Sequence, residues 1–444
     1  MRLSPMRSLH QAPTLISATT ATKLTIKPQC ITLTQPAKPN TLQQSNDTVK
    51  KMEKMMNLSS SFASSSSSSE KVGKRWKEYQ GMRNWDGLLD PLDENLRGEI
   101  LRYGHFVEAA YKSFEFNPSS SNYATCKFPK STLFERCGLS NTGYKVTKHL
   151  RATSGIQLPG WVDKAPSWVG TQSSYVGYVA VCDNKEEIKR LGRRDVVIAF
   201  RGTTTCLEWL ENLRANLTHI PCNTNNIMSS ENGVPMVESG FLSLYTSAAT
   251  TNPSFVSLQE MVRQEIHRIL QTYGGAPLSL TITGHSLGAA LATLTAYDIK
   301  TSFPRPPLVT VISFGGPRVG NRSFRQSLEK QGTKVLRIVN SDDVITKMPG
   351  FVFDEVDKNR ADVSSNGMFH VAGFPSWIQK RAEEAQWVYS EVGEELRLSS
   401  RDSPYLRGVN VATCHDLNTY MHLVDGFVSS TCPFRSTAKR FLQG

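Results

Sequence analysis

The sequence predicts an α/β fold in which a mostly parallel sheet carries helices on both faces. Apolar runs rich in β-branched residues have the length and composition of buried strands, and five of them occur at residues 175–182, 196–200, 278–283, 308–314 and 334–340. Helical patterns lie between several of these runs, and strands that alternate with helices favour parallel pairing. Such sheets carry their functional groups at the carboxyl ends of the strands.

Three segments have the spacing of helices. Residues 255–273 place apolar side chains on one face, residues 287–299 are rich in Ala and Leu, and a further helix begins near Pro91. Apolar side chains at steps of three and four form a stripe along this last helix, namely Leu92, Leu96, Ile100, Tyr103, Val107 and Tyr111. Asp93 and Glu94 lie in its first turn, where the helix dipole favours negative charge.

The length and composition fit one large globular domain over residues 75–444. No stretch approaches the roughly 18 apolar residues of a membrane span, so we expect contact with a membrane only at its surface. The net charge of +12 comes without the dense Lys/Arg blocks and interleaved aromatics of nucleic-acid binding, and we expect no nucleic-acid partner. The eight cysteines are scattered without metal-ligand spacing, which predicts free thiols, no metal and no cofactor.

The first seventy residues have the composition of an organelle-targeting segment. Residues 1–46 contain no Asp or Glu, and residues 1–70 contain eight Lys/Arg against three Asp/Glu, with many Ser and Thr. Acid-poor, basic, hydroxyl-rich N-termini are typical of transit peptides, and so polar a segment buries too little apolar surface to fold alone. We expect residues 1–70 to be a plastid or mitochondrial transit peptide with a disordered Ser-rich linker, with an ordinary disordered tail as the alternative.

The motif Gly284-His285-Ser286-Leu287-Gly288 comes directly after the predicted strand 278–283 and contains a serine at its centre. The pattern G-x-S-x-G is typical of a nucleophile in a sharp strand-to-helix turn of the α/β-hydrolase fold, where only small flanking residues fit. Gly284 and Gly288 meet that demand, and the helix from Leu287 places its amino end at the Ser286 hydroxyl. We predict Ser286 as the nucleophile of an ester-cleaving serine hydrolase, and His285 as a packed or hydrogen-bonded neighbour rather than its base.

A nucleophilic serine needs a base and an orienting carboxylate, which follow it in this fold in the order Asp, His. Asp342 and Asp343 come directly after the last predicted strand, and from the residues alone either one fits the role. Three histidines come later, at His370, His415 and His422. His415 stands at the start of a helical segment, from which a side chain projects freely into a cleft. We therefore predict His415 as the base and a packed role for His422.

The oxyanion of acyl transfer needs two N–H donors. Leu287, after the nucleophile, is expected to supply one, and a loop after an earlier strand the other. Strand 196–200 ends in Arg201-Gly202-Thr203, where Gly202 frees the backbone to aim the Thr203 N–H and the Thr203 hydroxyl adds a donor. An ordinary turn with a Thr cap is the alternative. The apolar residues 206–213 are either a lid that opens on a lipid surface or a helix packed on the core.

Several segments together resemble the class 3, fungal-type lipases, namely FRGT at 200–203, TGHSLGAA at 283–290, FGGPRVGN at 314–321 and VNSDDV at 339–344. The sequence is similar in particular to plant plastid phospholipase A1 enzymes of the defective-in-anther-dehiscence type. These share WKEYQG at 76–81, LDPLD at 89–93, CHDL at 414–417 and HLVDGF at 422–427. The resemblance covers nearly everything from Arg75 to about Phe434.

The resemblance implies Ser286 as the nucleophile and Asp343, rather than Asp342, as the acid, and it supports His415 as the base. It implies release of the sn-1 fatty acid from glycerolipids of the chloroplast membrane, phosphatidylcholine and galactolipids, through peripheral contact with that membrane. A supply of linolenic acid for jasmonate synthesis is a further implication. Two other classes stay open: a lipase-like signalling scaffold without hydrolysis, and an acyltransferase that uses the same serine. The presence of all three triad candidates favours the enzyme over the scaffold.

Overall fold

A central sheet of seven strands organises the computed structural model, which describes residues 66–153, 173–203, 217–220, 234–248, 256–348, 389–406 and 410–434. The strands of the sheet are β1 Tyr144–Thr153, β2 Ser173–Cys182, β3 Arg194–Phe200, β6 Leu278–His285, β7 Leu308–Phe314, β8 Lys334–Asn340 and β9 Glu394–Leu398. Two short strands, β4 Leu217–His219 and β5 Met236–Glu238, pair separately. The spatial order is β1-β2-β3-β6-β7-β8-β9, with parallel pairing from β3 to β9. The predicted α/β fold with a mostly parallel sheet is confirmed.

The five predicted strands are present, whereas β1 and β9, at the two edges of the sheet, are not predicted. β1 carries Lys145, Lys148 and Arg151, and β9 exposes Glu394 while it buries Leu396. Edge strands face solvent and use charged side chains against unwanted pairing, so they lack the continuous apolar run of a strand buried on both faces. The criterion that finds the central strands therefore misses the edges.

Helices cover both faces of the sheet, as predicted. In chain order they are α1 Ser66–Tyr79, α2 Glu94–Lys112, α3 Leu133–Arg136, α4 Lys185–Leu191, α5 Ser239–Thr246, α6 Leu258–Tyr273, α7 Leu287–Ser302, α8 Arg322–Lys330, α9 Val411–Cys414 and α10 Leu417–Gly426. One core contains α1, α2 and α10 and the strand residues Val197 and Ala199. The other contains α5 to α8 together with Val196 and Ile198. Because successive strand residues point to opposite faces, both faces of the central strands are buried.

Helix α2 carries the predicted apolar stripe. Asp93 caps its first turn, where Oδ1 accepts the N–H groups of Asn95 at 2.8 Å and Leu96 at 3.1 Å. This cap explains why the helix begins at Glu94. The stripe residues are buried except Tyr111, which lies half-buried in the last turn.

Helix α1 begins before Arg75, the residue at which the sequence predicts that the folded domain starts. It starts at Ser66, inside the linker predicted up to residue 70, and it has a kink at Arg75 (φ −110°, ψ 15°). Residues 1–65 lie outside the described residues, so the extent of the transit segment stays a prediction. Over the described ranges, every helix is too short or too polar to cross a bilayer.

A buried polar cluster lies at the amino-terminal ends of β3 and β6, beneath α2. Asp195 accepts the Tyr103 hydroxyl at 3.0 Å and lies 3.4 Å from Arg102 Nη1, while Glu99 pairs with Arg102 at 2.6 Å and Arg193 at 3.5 Å. Burial by itself raises the pKa of Glu99, but Arg102 and Arg193 outweigh it and lower that pKa to about 2. We call these five residues the Asp195 cluster. Two guanidinium groups face two carboxylates, so its charges balance.

Candidate active site

Ser286 lies in a strained turn between β6 and α7. Its backbone has φ 57° and ψ −126°, a combination that residues with a side chain rarely adopt. The Ser286 N–H donates to the Phe314 carbonyl at the end of β7, at 3.0 Å, and this bond anchors the turn. Ser286 directly precedes α7, so it lies at the positive end of the helix dipole. The strand, the sharp turn and the helix are those that the G-x-S-x-G motif predicts.

Close packing explains the glycines on either side of this turn. A Cβ on Gly284 would overlap the Gly288 carbonyl, and a Cβ on Gly288 would lie 2.6 Å from the Arg201 carbonyl oxygen. The end of β3 therefore presses against the first turn of α7. A Cβ on Gly202 would lie 2.9 Å from the Ser286 Cβ, so the loop after β3 runs directly beside the serine.

Asp343 and His415 form a buried hydrogen bond. The His415 Nδ1–H donates to Asp343 Oδ2 at 2.6 Å. With Nδ1 bound to the carboxylate, the neutral ring carries its lone pair on Nε2. Asp343 Oδ1 accepts the Ile345 N–H at 2.9 Å, and Oδ2 also accepts the Tyr420 hydroxyl at 2.6 Å. Both oxygens of the carboxylate are bound, and this fixes the direction from which it holds the His415 ring.

Asp342 points to other partners. Its Oδ2 accepts the Ser399 hydroxyl at 2.8 Å, and its Oδ1 pairs with the exposed Arg401 at 2.8 Å. The residues alone leave both aspartates open. Within the described ranges, the structure brings Asp343, and not Asp342, to a histidine.

Tyr420 is a residue of this site that sequence reasoning misses. Its hydroxyl donates to Asp343 and accepts the Asn340 N–H at 3.2 Å. Burial, and then the negative charge of Asp343, raise the pKa of Tyr420 well above its usual value, so the phenol stays protonated. The sequence shows only that Tyr420 lies in the same segment as His415. Its hydrogen bond to Asp343 is found only in the folded structure.

His415 lies between two helices rather than at the start of one. It follows α9, and Asp416 then caps α10, so the helix begins only at Leu417. His422 lies inside α10, buried, with Nε2 2.9 Å from the Ser403 hydroxyl, and burial lowers its pKa. This is the packed position predicted for it. The third candidate, His370, lies outside the described residues.

The loop after β3 carries the predicted oxyanion donor Thr203. Arg201 Nη1 donates to the Gly202 carbonyl at 2.7 Å. Because the C=O and N–H of a trans peptide point in opposite directions, this bond turns the Thr203 N–H away from the guanidinium. The Thr203 hydroxyl is buried without a hydrogen-bond partner in the described part of the chain. The Leu287 N–H, first in α7, has no acceptor within its own helix. The predicted lid, 206–213, lies outside the described residues.

Arg201 is a buried cation that no carboxylate of the described residues pairs with. Its guanidinium donates to the Tyr175 carbonyl at 2.9 Å and lies 3.6 Å from the centre of the Phe114 ring. Burial lowers the pKa of Arg201 to about 10, so the side chain stays charged at neutral pH. A positive charge beside this loop favours negative charge that develops next to it.

His285 is buried and bonded through both ring nitrogens. Its Nε2 lies 2.7 Å from the His415 carbonyl oxygen, and its Nδ1 lies 2.8 Å from the Tyr111 hydroxyl. The Tyr111 hydroxyl also accepts the Gly202 N–H at 2.8 Å. Burial, and then the neighbouring His415, lower the pKa of His285 well below its usual value. His285 is therefore neutral and held on both sides, in the position expected for a hydrogen-bonded neighbour of Ser286.

The carboxyl edge of the sheet thus brings together groups from three neighbouring regions. Ser286 follows β6, the loop with Thr203 follows β3, and Asp343 follows β8 with His415 hydrogen-bonded to it. A strained serine, an oriented histidine and two donors are the components that nucleophilic acyl transfer requires. The residues match this chemistry without needing a metal ligand or cofactor in any of these roles.

Comparisons with known proteins identify the family of the chain. Residues 197–353 match the family described as Lipase (class 3). The chain is 68% identical over 373 residues to phospholipase A(1) DAD1, chloroplastic, of Arabidopsis thaliana, which covers 84% of this chain and 81% of that protein. It is 39% identical over 358 residues to galactolipase DONGLE, chloroplastic, of Arabidopsis thaliana, covering 79% and 69% respectively. A solved structure, the nonglycosylated LIP2 lipase of Yarrowia lipolytica, aligns with a TM-score of 0.39 and 17% identity over 59% of this chain and 77% of that chain.

Proposed function

Since the chain belongs to the class 3 lipases, among the plant phospholipase A1 enzymes, we propose that it releases the sn-1 fatty acid of plastid glycerolipids with Ser286, Asp343 and His415 as its catalytic triad. The observation that carries this proposal is the 2.6 Å hydrogen bond between His415 and Asp343, at the same edge of the sheet as the strained Ser286 turn. The relatives named phospholipase A(1) and galactolipase support a serine carboxylic-ester hydrolase that acts on membrane lipids.

The first step is attack of Ser286 on the ester carbonyl. His415 Nε2 takes the proton of the Ser286 hydroxyl as the oxygen bonds to the acyl carbon. Asp343, buried and bonded to Nδ1–H, stabilises the imidazolium that forms and keeps the ring in the productive tautomer. The imidazolium then protonates the leaving lysolipid oxygen, which leaves an acyl-enzyme. Water, activated by the same His415, releases the fatty acid and restores the serine.

The oxyanion of the tetrahedral intermediate lies between α7 and the loop after β3 in this mechanism. The Leu287 N–H, the Thr203 N–H and the Thr203 hydroxyl are the proposed donors. The Thr203 hydroxyl, buried without a partner among the described residues, supports this assignment, because a buried polar atom without a partner is costly unless a ligand uses it. The balance of charge is also favourable, since Arg201 has no carboxylate to neutralise it in the described part of the chain.

The substrate class is tested with purified protein on vesicles that contain phosphatidylcholine and galactolipids. Products resolved by acyl position and head group should show free fatty acid from sn-1 and the matching 2-acyl lysolipid. Ser286→Ala removes one oxygen and should abolish release without lowering the melting temperature. Fatty acid from sn-2, or transfer of the acyl group to an alcohol instead of water, would contradict the proposed reaction. The supply of linolenic acid for jasmonate synthesis stays a prediction.

We place the protein in the chloroplast, in peripheral contact with the membrane, as the names of its chloroplastic relatives support. We propose that residues 1–70 are the transit peptide and linker that direct the protein there. A reporter fused to these residues should enter plastids, and a reporter without them should stay in the cytosol. Entry of both, or of neither, would contradict the transit-peptide assignment.

A further inference from the structure

Three consecutive hydrogen bonds connect the oxyanion loop to the backbone of His415 through the residue next to the nucleophile. Gly202 N lies 2.8 Å from Tyr111 Oη, Tyr111 Oη lies 2.8 Å from His285 Nδ1, and His285 Nε2 lies 2.7 Å from the His415 carbonyl oxygen. The four residues come from the end of α2, the loop after β3, the end of β6 and the link between α9 and α10. We call this series the Tyr111–His285 bridge.

The chemistry of the two ends determines the direction of every bond in the bridge. The Gly202 amide can only donate, so Tyr111 Oη accepts there. The His415 carbonyl can only accept, so the proton of neutral His285 is on Nε2. His285 Nδ1 then has a lone pair, and the Tyr111 hydroxyl donates to it. Each donor has one acceptor, and the series has a single consistent arrangement while His285 is neutral.

We propose that Tyr111 and His285 are positioning residues, which hold the oxyanion loop and the His415 backbone at fixed distances on either side of Ser286. The inference rests on the proposed ester hydrolysis at Ser286. One end of the bridge binds the N–H of Gly202, the residue before Thr203, and the other binds the backbone of the residue that supplies the base. Small displacements of catalytic groups reduce rates strongly, so a common anchor for both groups maintains their geometry at once.

The surroundings favour a permanent bridge. His285 is buried, its ring centre lies 4.7 Å from that of His415 and 5.9 Å from that of Tyr111, and no other polar group of the described residues competes for its nitrogens. A protonated His285 would donate from both nitrogens, and its Nδ1 could no longer accept the Tyr111 hydroxyl. The neutral ring is therefore the state that the bridge requires.

The decisive variant is Tyr111→Phe, with Tyr178→Phe as its matched control. Each variant removes one phenol oxygen. Tyr111 belongs to α2, and Tyr178 contacts it by donating to the Phe106 carbonyl at 2.7 Å, away from the bridge. On a short soluble ester we expect Tyr111→Phe to lower kcat by about tenfold or more, which is the rate equivalent of one hydrogen bond. KM should stay within about twofold, because the ester-binding surface is unchanged. Tyr178→Phe should leave both constants near wild type.

A second pair of variants separates the two halves of the bridge. His285→Gln retains a donor for the His415 carbonyl without an acceptor for Tyr111, whereas His285→Asn retains the acceptor without that donor. Both should lower kcat. The double variant Tyr111→Phe/His285→Gln should be no slower than the slower single variant, because both changes interrupt the same series.

The outcomes distinguish this inference from the proposed function. Wild type that hydrolyses no ester would contradict the proposed function itself. Active wild type and inactive Ser286→Ala, beside a Tyr111→Phe variant with the kcat of Tyr178→Phe, would overturn only the bridge. A change in KM alone, or losses that add in the double variant, would overturn it as well. Nitrogen NMR of His285 gives an independent test: the proton should be on Nε2 from pH 6 to 8, and a proton on Nδ1 would contradict the bond directions.

Discussion

Charged groups are buried at both ends of β3 and β6, but the two ends differ in whether an opposite charge lies beside each buried one. At the amino-terminal end, Asp195 and Glu99 face Arg102 and Arg193, so that each charge has an opposite partner. At the carboxyl end, Arg201 is buried without a carboxylate from the described residues. The ends lie roughly 20 Å apart at about 3.3 Å per residue along β3.

The same contrast holds for hydroxyl groups and for the backbone. Tyr103 of the Asp195 cluster is bonded to several members of it, whereas the Thr203 hydroxyl is buried without a partner in the described ranges. Ser286 has a positive φ, which costs energy that only the surrounding packing repays. A cluster whose groups satisfy one another stabilises the fold. Polar groups left with unused capacity indicate where a ligand or a transition state supplies the missing partner.

The largest effect on kcat is expected for His415→Ala, with His422→Ala as its comparison. His415→Ala removes the base and should leave only the residual rate from binding and the oxyanion donors, a loss of about 10⁴-fold or more in kcat. His422→Ala should retain most of kcat and lose stability, about 2 kcal/mol, because it opens a cavity and removes the hydrogen bond between the ring and the Ser403 hydroxyl. The measurements are kcat and the melting temperature of both variants. A folded, inactive His422→Ala beside an active His415→Ala would reverse the assignment.

The neighbouring aspartates provide the next test. Asp343→Asn should lower kcat by about 10⁴-fold, because an amide in that position no longer holds His415 in the tautomer with its lone pair on Nε2. Asp342→Asn should change kcat little, since it weakens only contacts to Ser399 and the exposed Arg401. Steady-state kinetics on one soluble ester compares them directly. Equal losses in the two variants would mean that the hydrogen bond to His415 is not what matters.

A smaller effect is expected at Thr203. Thr203→Val preserves shape and the backbone N–H but removes the hydroxyl, and kcat should fall about 10²-fold if that hydroxyl is an oxyanion donor. Thr203→Ser retains the hydroxyl and should stay within about threefold of wild type. A Thr203→Val enzyme as fast as Thr203→Ser would leave the backbone N–H as the sole donor from this loop.

The smallest effect on catalysis is expected at the opposite end of the sheet. Asp195→Asn leaves Arg102 and Arg193 with one carboxylate instead of two, and breaking a buried ion pair from one side costs about 3 kcal/mol or more. The free energy of unfolding should fall by that amount in urea titration, while kcat of the folded enzyme stays within about twofold. A variant of unchanged stability, or one that folds normally with a large loss of kcat, would contradict the claim that the Asp195 cluster stabilises the fold without affecting catalysis.

The features that the sequence predicts are those in which local pattern and burial agree. The central strands are apolar on both faces, and the Ser286 turn needs glycines that stand next to it in the chain, so both are visible in short segments. The edge strands β1 and β9 are hidden by their charged side chains. The choice between Asp342 and Asp343 depends on which one reaches His415, a contact across 72 positions of the chain.

Two further components of the site have no local signal. Tyr420 acts through Asp343, 77 positions away, and Tyr111 belongs to an apolar helix stripe in which its hydroxyl looks incidental. Both hydroxyl groups acquire a role only when the sheet brings the ends of α2, β6 and β8 together. The nucleophile is therefore predictable from its motif, and the residues that orient its partners are not.

The central claim is that Ser286 is the nucleophile of an ester hydrolase, and a serine-directed fluorophosphonate tests it most directly. Wild-type protein should take up one equivalent, and peptide mass spectrometry should find the label on Ser286, with loss of esterase activity in step with labelling. Ser286→Ala should take up none. Ser403, which is buried and lies 2.9 Å from His422 Nε2, is the internal control. A label on Ser403 or elsewhere, or full esterase activity in the Ser286→Ala protein, would contradict the account.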